Sequence, residues 1–325
     1  MSLVCQTENE AGRLISLVEA PLRAKAEALL GAVSSTGSLI VAYSGGVDSS
    51  LLAFVARRML GKRAVIAIAV SPSLPSSELA DARRQSEQLD FDHIEIGTEE
   101  VDKEEYRQNT GNRCFFCKAT LFEHLEKLKI ERHISAIAYG ANMDDLSDTR
   151  PGHEAARVYG VIAPLVQAEL YKSEIRSLAK SWGLSSWDRP QAACLSSRFP
   201  DFVYITPERL SLVERAEEVV RSRGFRQVRV RFRQESTQGQ NSADVSKANL
   251  SKADLSGAER GGADLVRLAL VEVGEAELPN LFLNQSLMDE LTESILSLGF
   301  ARVIFDPTGY RQGKANSISA GGALG

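Results

Sequence analysis

The residues from Ser44 to Ser50 have the composition of a phosphate-binding loop. They read Ser-Gly-Gly-Val-Asp-Ser-Ser and directly follow the apolar run Leu39–Tyr43. Adjacent glycines can adopt positive φ and let backbone N–H groups close around an anion, serine hydroxyls add donors, and the first turn of a helix adds positive potential. The pattern therefore favours ATP or pyrophosphate binding. The predicted ATP-binding residues are Ser44, Gly45, Gly46, Val47, Asp48 and Ser49.

Two better-known phosphate loops do not fit this segment. A Walker loop has a lysine after its last glycine, and none follows Gly46; a dinucleotide loop separates its glycines, whereas Gly45 and Gly46 are adjacent. The alternative is an ordinary strand-to-helix turn in which Asp48 is only the N-cap. Seven residues of the right type after a buried-type strand favour the phosphate loop.

Three cysteines occur where a thiolate could do chemistry. Cys114 and Cys117 form a CxxC pair at the start of a helical pattern, beside Arg113 and Lys118, whose charges would lower the thiol pKa. Cys194 lies in an irregular segment at the predicted domain junction. The scattered histidines do not complete a zinc site. Four interpretations stay open: a redox disulfide in the CxxC pair, three thiolates holding a four-iron cluster, a reactive single Cys194, and a buried, inert Cys194.

Arginines on a predicted strand suit an anionic substrate. Arg229 and Arg231 alternate and so project to one face, and Arg311 follows in a glycine-flanked loop. Guanidinium groups bind phosphate and carboxylate in a bidentate geometry. The alternative is a solvated basic strand face. Glu217, a lone acid on a predicted helix, is by itself expected to be a surface charge.

Alternating strands and helices in the first part of the chain must position these residues. After a helical leader over 12–32, predicted strands at 39–43, 64–70, 93–96 and 134–139 alternate with predicted helices at 48–60, 77–89 and 118–128. Such alternation predicts an α/β fold with a doubly wound, mainly parallel sheet. Ligands of these sheets lie beyond the carboxyl ends of the strands, where the Ser-Gly-Gly turn falls.

The pattern changes to a smaller α+β domain near residue 200. We expect a domain that bears the phosphate-binding loop over 1–200 and a substrate-binding or oligomerisation domain over 201–325. A helix is predicted at 171–182, before this boundary. The predicted elements of the second domain are helices 206–224 and 285–298 and strands 227–232, 264–273 and 301–305. An insert at about 235–264 has alanine at a five-residue period and resembles about one coil of a pentapeptide-repeat β-helix. A solvated excursion of a hairpin is the alternative.

Composition limits the partners. The chain of 325 residues has 38 Lys and Arg against 43 Asp and Glu, for a net charge of −5, which argues against nucleic acid as a partner. No apolar run approaches the length of a membrane span, and the amino terminus lacks the pattern of a signal peptide. We therefore expect a cytoplasmic protein that has no membrane partner.

Several segments together resemble one enzyme family. The sequence is similar to the ATP-dependent sacrificial sulfur transferases of nickel-pincer (lactate racemase) cofactor assembly, the LarE family of the PP-loop ATP pyrophosphatase superfamily. The resemblance implies an adenine nucleotide alpha hydrolase-like fold and a homo-oligomer. It also implies an enzyme that adenylates a carboxylate of pyridinium-3,5-biscarboxylic acid mononucleotide and then inserts sulfur to give the thiocarboxylate. The segments that carry it are 44–50, 139–152, 193–200, 228–232 and 309–313.

The resemblance also implies roles for individual residues. Asp48 would act in catalysis by helping to hold Mg²⁺ on the pyrophosphate, and Cys194 would be the catalytic thiol that some members give up as sulfur. Members that also carry a CxxC pair are expected to hold a 4Fe–4S cluster, here on Cys114, Cys117 and Cys194, which relays sulfide from a donor that stays unknown. The residues implied to bind the substrate's phosphate or free carboxylate are Arg229, Arg231, Arg311 and Glu217. Ala269 stands where some relatives carry an acid.

Three other functions compete with this interpretation. A PP-loop tRNA thiolase is disfavoured by the acidic chain, and an amide-forming enzyme such as NAD synthetase would not require the thiols. A scaffold with a vestigial loop is disfavoured because Asp48 and Ser49 are intact.

Overall fold

The computed structural model describes residues 3–147, 151–236 and 265–310. The chain divides into two compact units, Met1–Ala193 (unit 1) and Cys194–Gly325 (unit 2). The division falls a few residues before the predicted one at 200. The reason lies in the segment after Cys194, where Arg198 forms an ion pair with Glu217 and the ring of Phe199 stacks on that of Phe232 at 5.1 Å. These contacts place 194–200 with the second unit.

Unit 1 is built on a four-stranded parallel sheet, which confirms the predicted α/β fold. The strands are β1 Leu39–Ala42, β2 Ala64–Val70, β3 His93–Gly97 and β4 Ala136–Tyr139, in the order β3-β2-β1-β4. Alternate residues of β1 point to opposite faces. Leu39 and Val41 join one apolar cluster, and Ile40 joins the other. Helices on both faces therefore bury the sheet.

The helices of unit 1 follow the predicted alternation. The predicted leader is two helices rather than one, because Pro21 lies in the break between them and cannot donate a helical hydrogen bond. The helices are α1 Leu3–Ser16, α2 Arg23–Ser34, α3 Val47–Leu60, α4 Ser76–Gln88, α5 Glu104–Arg107, α6 Arg113–Glu131, α7 Pro151–Val158, α8 Pro164–Gln167 and α9 Lys172–Ser181. None of the helices within the described ranges is long and apolar enough to cross a membrane.

In its described residues, unit 2 has a mixed three-stranded sheet and three α-helices. Strand β5 pairs antiparallel with β6, and β6 pairs parallel with β7. The Thr206 side chain caps α10, with Pro207 at its first position. The repeat insert joins β5 to β6 and lies, except for its first two residues, outside the described residues. The elements are α10 Pro207–Arg221, β5 Val228–Ser236, β6 Leu265–Val273, α11 Leu278–Phe282, α12 Gln285–Ser297 and β7 Arg302–Phe305.

Candidate functional site

The predicted phosphate loop connects the carboxyl end of β1 to the start of α3. Gly45 has φ of +74°, whereas Gly46 is the extended N-cap residue of α3, with φ of −73°. The expectation of positive φ is therefore confirmed for Gly45 and wrong for Gly46. Asp48 lies in the first turn of α3, so the alternative in which it is only the N-cap is wrong. The Asp48 carboxylate therefore does not cap α3 and can bind other partners.

Ser49 shapes this loop from the inside. Its hydroxyl, buried, accepts from the Ser44 backbone N–H and donates to the Gly46 carbonyl, each at 3.1 Å. Ser44 is exposed, and its own hydroxyl lies 3.1 Å from that of Ser49. The Gly46 N–H donates to no residue in the described part of the chain. An exposed hydroxyl and a free N–H at a helix start form an anion-binding arrangement.

The residue after β4 approaches the loop closely. A Cβ added at Gly140 would lie 2.8 Å from the Ser49 nitrogen, a distance that side chains do not tolerate. Glycine at this position thus lets the end of β4 pack against the first turn of α3. The carboxyl ends of β1 and β4, which are neighbours in the sheet, meet at the predicted nucleotide site.

Asp48 holds a cation partner that the sequence analysis did not identify. One of its carboxylate oxygens pairs with the Lys172 ammonium, and the other accepts from the Asn142 side chain at 3.4 Å. Burial raises the pKa of Asp48 above its ordinary value, although Lys172 opposes that shift. Lys172 begins α9, and its backbone N–H donates to Asp144 at 2.6 Å. No motif in the sequence connects residues so far apart.

The lysine ammonium provides a test of the expected Mg²⁺ site. The ammonium is a cation that pairs with the carboxylate predicted to hold Mg²⁺. The Asp48 carboxylate therefore binds a positive charge in this position. An oxygen ligand next to phosphate-binding donors is also the chemistry that Mg²⁺ prefers. Asp48 therefore fits the expected ion.

The CxxC pair lies in the first turn of α6, as predicted. Cys114 is exposed, Cys117 is half-buried, and neither is in a disulfide. The redox disulfide is therefore not formed. Cys194, the first residue of unit 2, is a free, exposed thiol, so the interpretation of a buried, inert Cys194 is wrong.

A turn that follows Cys194 fixes its backbone. The Cys194 carbonyl accepts from the Arg198 guanidinium at 2.9 Å and from the Ser197 hydroxyl at 2.8 Å. The thiol is thus presented on a rigid turn. Within the described ranges, no three His, Cys, Asp or Glu side chains form a group that could hold a metal ion. Cys114 and Cys117 belong to unit 1 and Cys194 to unit 2, so the expected three-thiolate ligand set stays a prediction.

Glu217 lies at the centre of a buried ionic cluster in unit 2. It is fully buried and accepts two hydrogen bonds from Arg198, at 2.8 and 3.1 Å, and one from Arg221 at 2.6 Å. The Val230 backbone N–H donates to it as well, at 3.1 Å. Although burial alone would raise the pKa of Glu217, the arginines hold it below its ordinary value. The interpretation of Glu217 as a surface charge is therefore wrong.

A second buried ion pair joins the two long strands. Arg231 donates to Glu272 at 2.7 Å, and both residues are buried. Glu272 is opposite Arg229 in the register of β5 and β6, whereas Ala269 is opposite Phe232. The second strand, β6, therefore does carry an acid, but at position 272 and not at position 269. Because Arg231 is buried, it does not belong to a solvated basic face.

Two further arginines carry no carboxylate partner. Arg229 and Arg233, both half-buried, form no ion pair with any residue that the structure describes. Burial lowers the pKa of each guanidinium. Arg229 donates to the Val228 carbonyl at 2.9 Å and lies over the ring of Tyr310 at 5.1 Å. Arg311, the next residue, lies outside the described residues.

These groups form what we call the arginine cluster. Among the described residues, the ion pairs given above join three of its five guanidinium groups to two carboxylates, so positive charge is in excess in a partly buried place. Such an excess favours a ligand with more than one negative charge. The members are Arg198, Arg221, Arg229, Arg231 and Arg233, with Glu217 and Glu272.

The parallel sheet, with its glycine-rich loop between β1 and α3, defines an α/β nucleotide-binding enzyme of the PP-loop class. Residues 26–109, which contain the loop, match the asparagine synthase family. The chain is 36% identical to the uncharacterized protein slr1717 of Synechocystis sp. over 91% of this chain and 98% of that protein.

The chain is also similar to two further proteins. Pyridinium-3,5-bisthiocarboxylic acid mononucleotide synthase of Lactiplantibacillus plantarum is 26% identical over 91% of this chain and 95% of its own length. The uncharacterized protein MJ0830 of Methanocaldococcus jannaschii is 28% identical over 59% of this chain and 73% of that protein. The chain belongs to the LarE family of PP-loop ATP pyrophosphatases. This membership supports an enzyme that uses ATP to adenylate a substrate.

Proposed function

We propose that the protein is an ATP-dependent sulfur transferase. It would adenylate a carboxylate of pyridinium-3,5-biscarboxylic acid mononucleotide and insert sulfur to give the thiocarboxylate used in nickel-pincer cofactor assembly. The name of the Lactiplantibacillus relative, which the chain matches over nearly its whole length, supports this substrate class. We further propose a cytoplasmic homo-oligomer that requires neither nucleic acid nor a membrane.

The arginine cluster is the observation that carries the proposal. A mononucleotide with two carboxylates is a small, multiply charged anion, and unit 2 offers unneutralised guanidinium groups for it. Arg229 and Arg233 are the members that form no ion pair within the described part of the chain. Glu217 would hold its paired arginines in place rather than touch the substrate, because it already accepts four hydrogen bonds.

The first step would be adenylation at the loop of unit 1. The substrate carboxylate attacks the α-phosphorus of ATP, the bond to the bridging oxygen breaks, and pyrophosphate leaves. Asp48 would hold Mg²⁺, which supplies charge neutralisation of the phosphates. Lys172, which pairs with Asp48 in the structure, would contact phosphate. The Ser44 hydroxyl and the Gly46 N–H would donate to the pyrophosphate.

The second step would transfer sulfur to the acyl carbon. In the sacrificial route the thiolate of Cys194 attacks the acyl-adenylate and AMP leaves. The Cβ–Sγ bond then breaks with loss of the Cα proton, which releases the thiocarboxylate and leaves dehydroalanine. The exposed thiol of Cys194, on a turn fixed by Arg198, suits a nucleophile that must reach a bound substrate.

The CxxC pair supports a second sulfur source. Three protein thiolates with one iron open would let a 4Fe–4S cluster carry an external sulfide. Cys114, Cys117 and Cys194 are not in disulfides, which leaves their sulfur atoms in the reduced state that such ligands need. In this route Cys194 is a permanent ligand and the enzyme turns over repeatedly.

Pyrophosphate release from ATP tests the proposed substrate. The purified protein is incubated with Mg-ATP alone or with Mg-ATP and one added substrate. The added substrates are the pyridinium biscarboxylate mononucleotide, unmodified tRNA, and the deamidated form of NAD with ammonia. We expect release to depend on the mononucleotide. Release that depends instead on tRNA or on the dinucleotide would support a tRNA thiolase or an NAD synthetase-like enzyme and contradict the proposal.

A further inference from the structure

Gln85 contacts the phosphate loop from the side of α4, and neither the sequence motifs nor the proposed mechanism uses it. The residue is buried. Its side-chain nitrogen donates to the Gly45 carbonyl at 3.2 Å, and its side-chain oxygen accepts from the Ser50 hydroxyl at 3.2 Å. One amide therefore joins the loop to the first turn of α3 across 35 to 40 residues of sequence.

The orientation of one peptide plane depends on this contact. The Gly45 carbonyl and the Gly46 N–H belong to the same trans peptide, in which C=O and N–H point in opposite directions. When Gln85 holds the carbonyl against α4, the Gly46 N–H must point away from α4. That N–H forms no hydrogen bond with a described residue. The fold therefore orients the Gly46 N–H, and no described residue accepts a hydrogen bond from it.

The neighbouring residue of α4 supports the same orientation. A Cβ added at Gly45 would lie 3.1 Å from the Cβ of Ala82, and Gly45 has a positive φ that other residues rarely adopt. Ala82 and Gln85 are three apart and so share one helix face. The helix thus packs on Gly45 and hydrogen-bonds its carbonyl from the same side.

We infer that Gln85 is a positioning residue for pyrophosphate binding. It keeps the Gly45–Gly46 peptide turned so that the Gly46 N–H can donate to the phosphate. Without it, the peptide can rotate and turn a carbonyl, which repels anions, toward the ligand. This inference rests on the proposed use of ATP. The Ser50 hydroxyl has a supporting role, because it fixes which end of the Gln85 amide faces Gly45.

The test compares Gln85→Met with Gln88→Met. Methionine has nearly the shape of glutamine but cannot donate to the Gly45 carbonyl. Gln88 lies on the same helix, is exposed, and its amide accepts from Ser185 instead of contacting the loop. Inorganic pyrophosphate with Mg²⁺ and, separately, adenosine are titrated into each full-length protein by calorimetry, and thermal melting checks the fold.

We expect Gln85→Met to bind pyrophosphate about tenfold more weakly, the scale of one hydrogen bond to a charged group. Its affinity for adenosine, which has no phosphate, should stay at the wild-type value, and Gln88→Met should match wild type for both ligands. Ser50→Ala keeps the Gln85 contact to Gly45, so it should weaken pyrophosphate binding less than Gln85→Met. If Gln85→Met fails to fold, Ser50→Ala is compared with wild type instead: weaker pyrophosphate binding with unchanged adenosine binding supports the inference, and unchanged pyrophosphate binding contradicts it.

Two results would overturn the role of Gln85. One is pyrophosphate affinity in folded Gln85→Met equal to that of Gln88→Met. The other is an equal loss for pyrophosphate and adenosine, which would indicate a general distortion. A wild-type protein that binds adenosine but no pyrophosphate would contradict the proposed ATP chemistry itself, and the inference would fall with it.

Discussion

Replacing Glu217 by glutamine removes the negative charge from the centre of the arginine cluster while keeping the shape of the side chain. Glu217 accepts from Arg198 at two positions, from Arg221, and from the Val230 N–H. Removal of one partner of a buried ion pair typically costs about 3–5 kcal/mol, because the remaining charge stays buried. Glutamine retains one acceptor oxygen, so we expect the free energy of unfolding to fall by about 3 kcal/mol, near the lower end of that range.

Urea unfolding followed by circular dichroism measures this loss. The matched control is Glu290→Gln in the same unit, because Glu290 pairs with Arg223 at 2.5 Å but its side chain is 53% exposed. Surface ion pairs contribute up to about 1 kcal/mol, so the control should change little. A Glu217→Gln variant that loses no more stability than Glu290→Gln would refute the account of the buried cluster.

The dependence on pH gives an independent check of the same residue. The arginines hold the pKa of Glu217 in the folded protein below its ordinary value of 4.5. The stability from its ionised carboxylate is therefore fully present above pH 4.5 and is lost as the pH falls through the lower folded-state pKa. The difference in unfolding free energy between wild type and Glu217→Gln should shrink in that acidic range. A difference that stays constant from neutral to acidic pH would contradict the ionised state of Glu217.

Three further predictions concern activity. Asp48→Asn should abolish pyrophosphate release from ATP, because the ligand of the proposed Mg²⁺ loses its charge, while thermal melting stays close to wild type; unchanged release in this variant would contradict the loop assignment. Arg229→Ala should weaken binding of the mononucleotide substrate by about ten- to a hundredfold and leave ATP binding unchanged, since Arg229 belongs to unit 2 and the loop to unit 1; equal losses for both ligands would count against a substrate site in the arginine cluster. In an anaerobic iron and sulfide assay, serine at Cys114, Cys117 or Cys194 should each remove most of the iron if the cluster route holds; full activity in both CxxC variants, with Cys194→Ser inactive and spent enzyme lighter by one H₂S, would replace it by the sacrificial route.

Local patterns were enough to predict the sheet of unit 1 and the loop between β1 and α3. The predicted strand at 64–70 has the bounds of β2, because a run of apolar, β-branched residues ends on both sides at polar or turn-forming residues. The loop was identified because its seven residues are contiguous. The helical leader was predicted less well, since the effect of Pro21 on the pattern was overlooked.

Contacts between distant residues could not be predicted from local patterns. Lys172 reaches Asp48 across 124 positions, and no spacing rule connects them. Glu272 was missed because its role depends on the register between β5 and β6, which are separated by the insert. Glu217 did carry a signal, because Val213 and Val220, four residues before it and three after it, lie on the buried face of α10. An acid on this buried face of α10 needs a positively charged partner.

The formation of the thiocarboxylate tests the central claim most directly. The protein is mixed without oxygen with Mg-ATP, the pyridinium biscarboxylate mononucleotide, sulfide and a reductant, and the nucleotide is analysed by mass spectrometry together with AMP. The account predicts a product in which sulfur replaces one carboxylate oxygen, formed with one AMP for each sulfur inserted. Release of AMP and pyrophosphate that leaves the nucleotide without sulfur would contradict the assignment as a sulfur transferase.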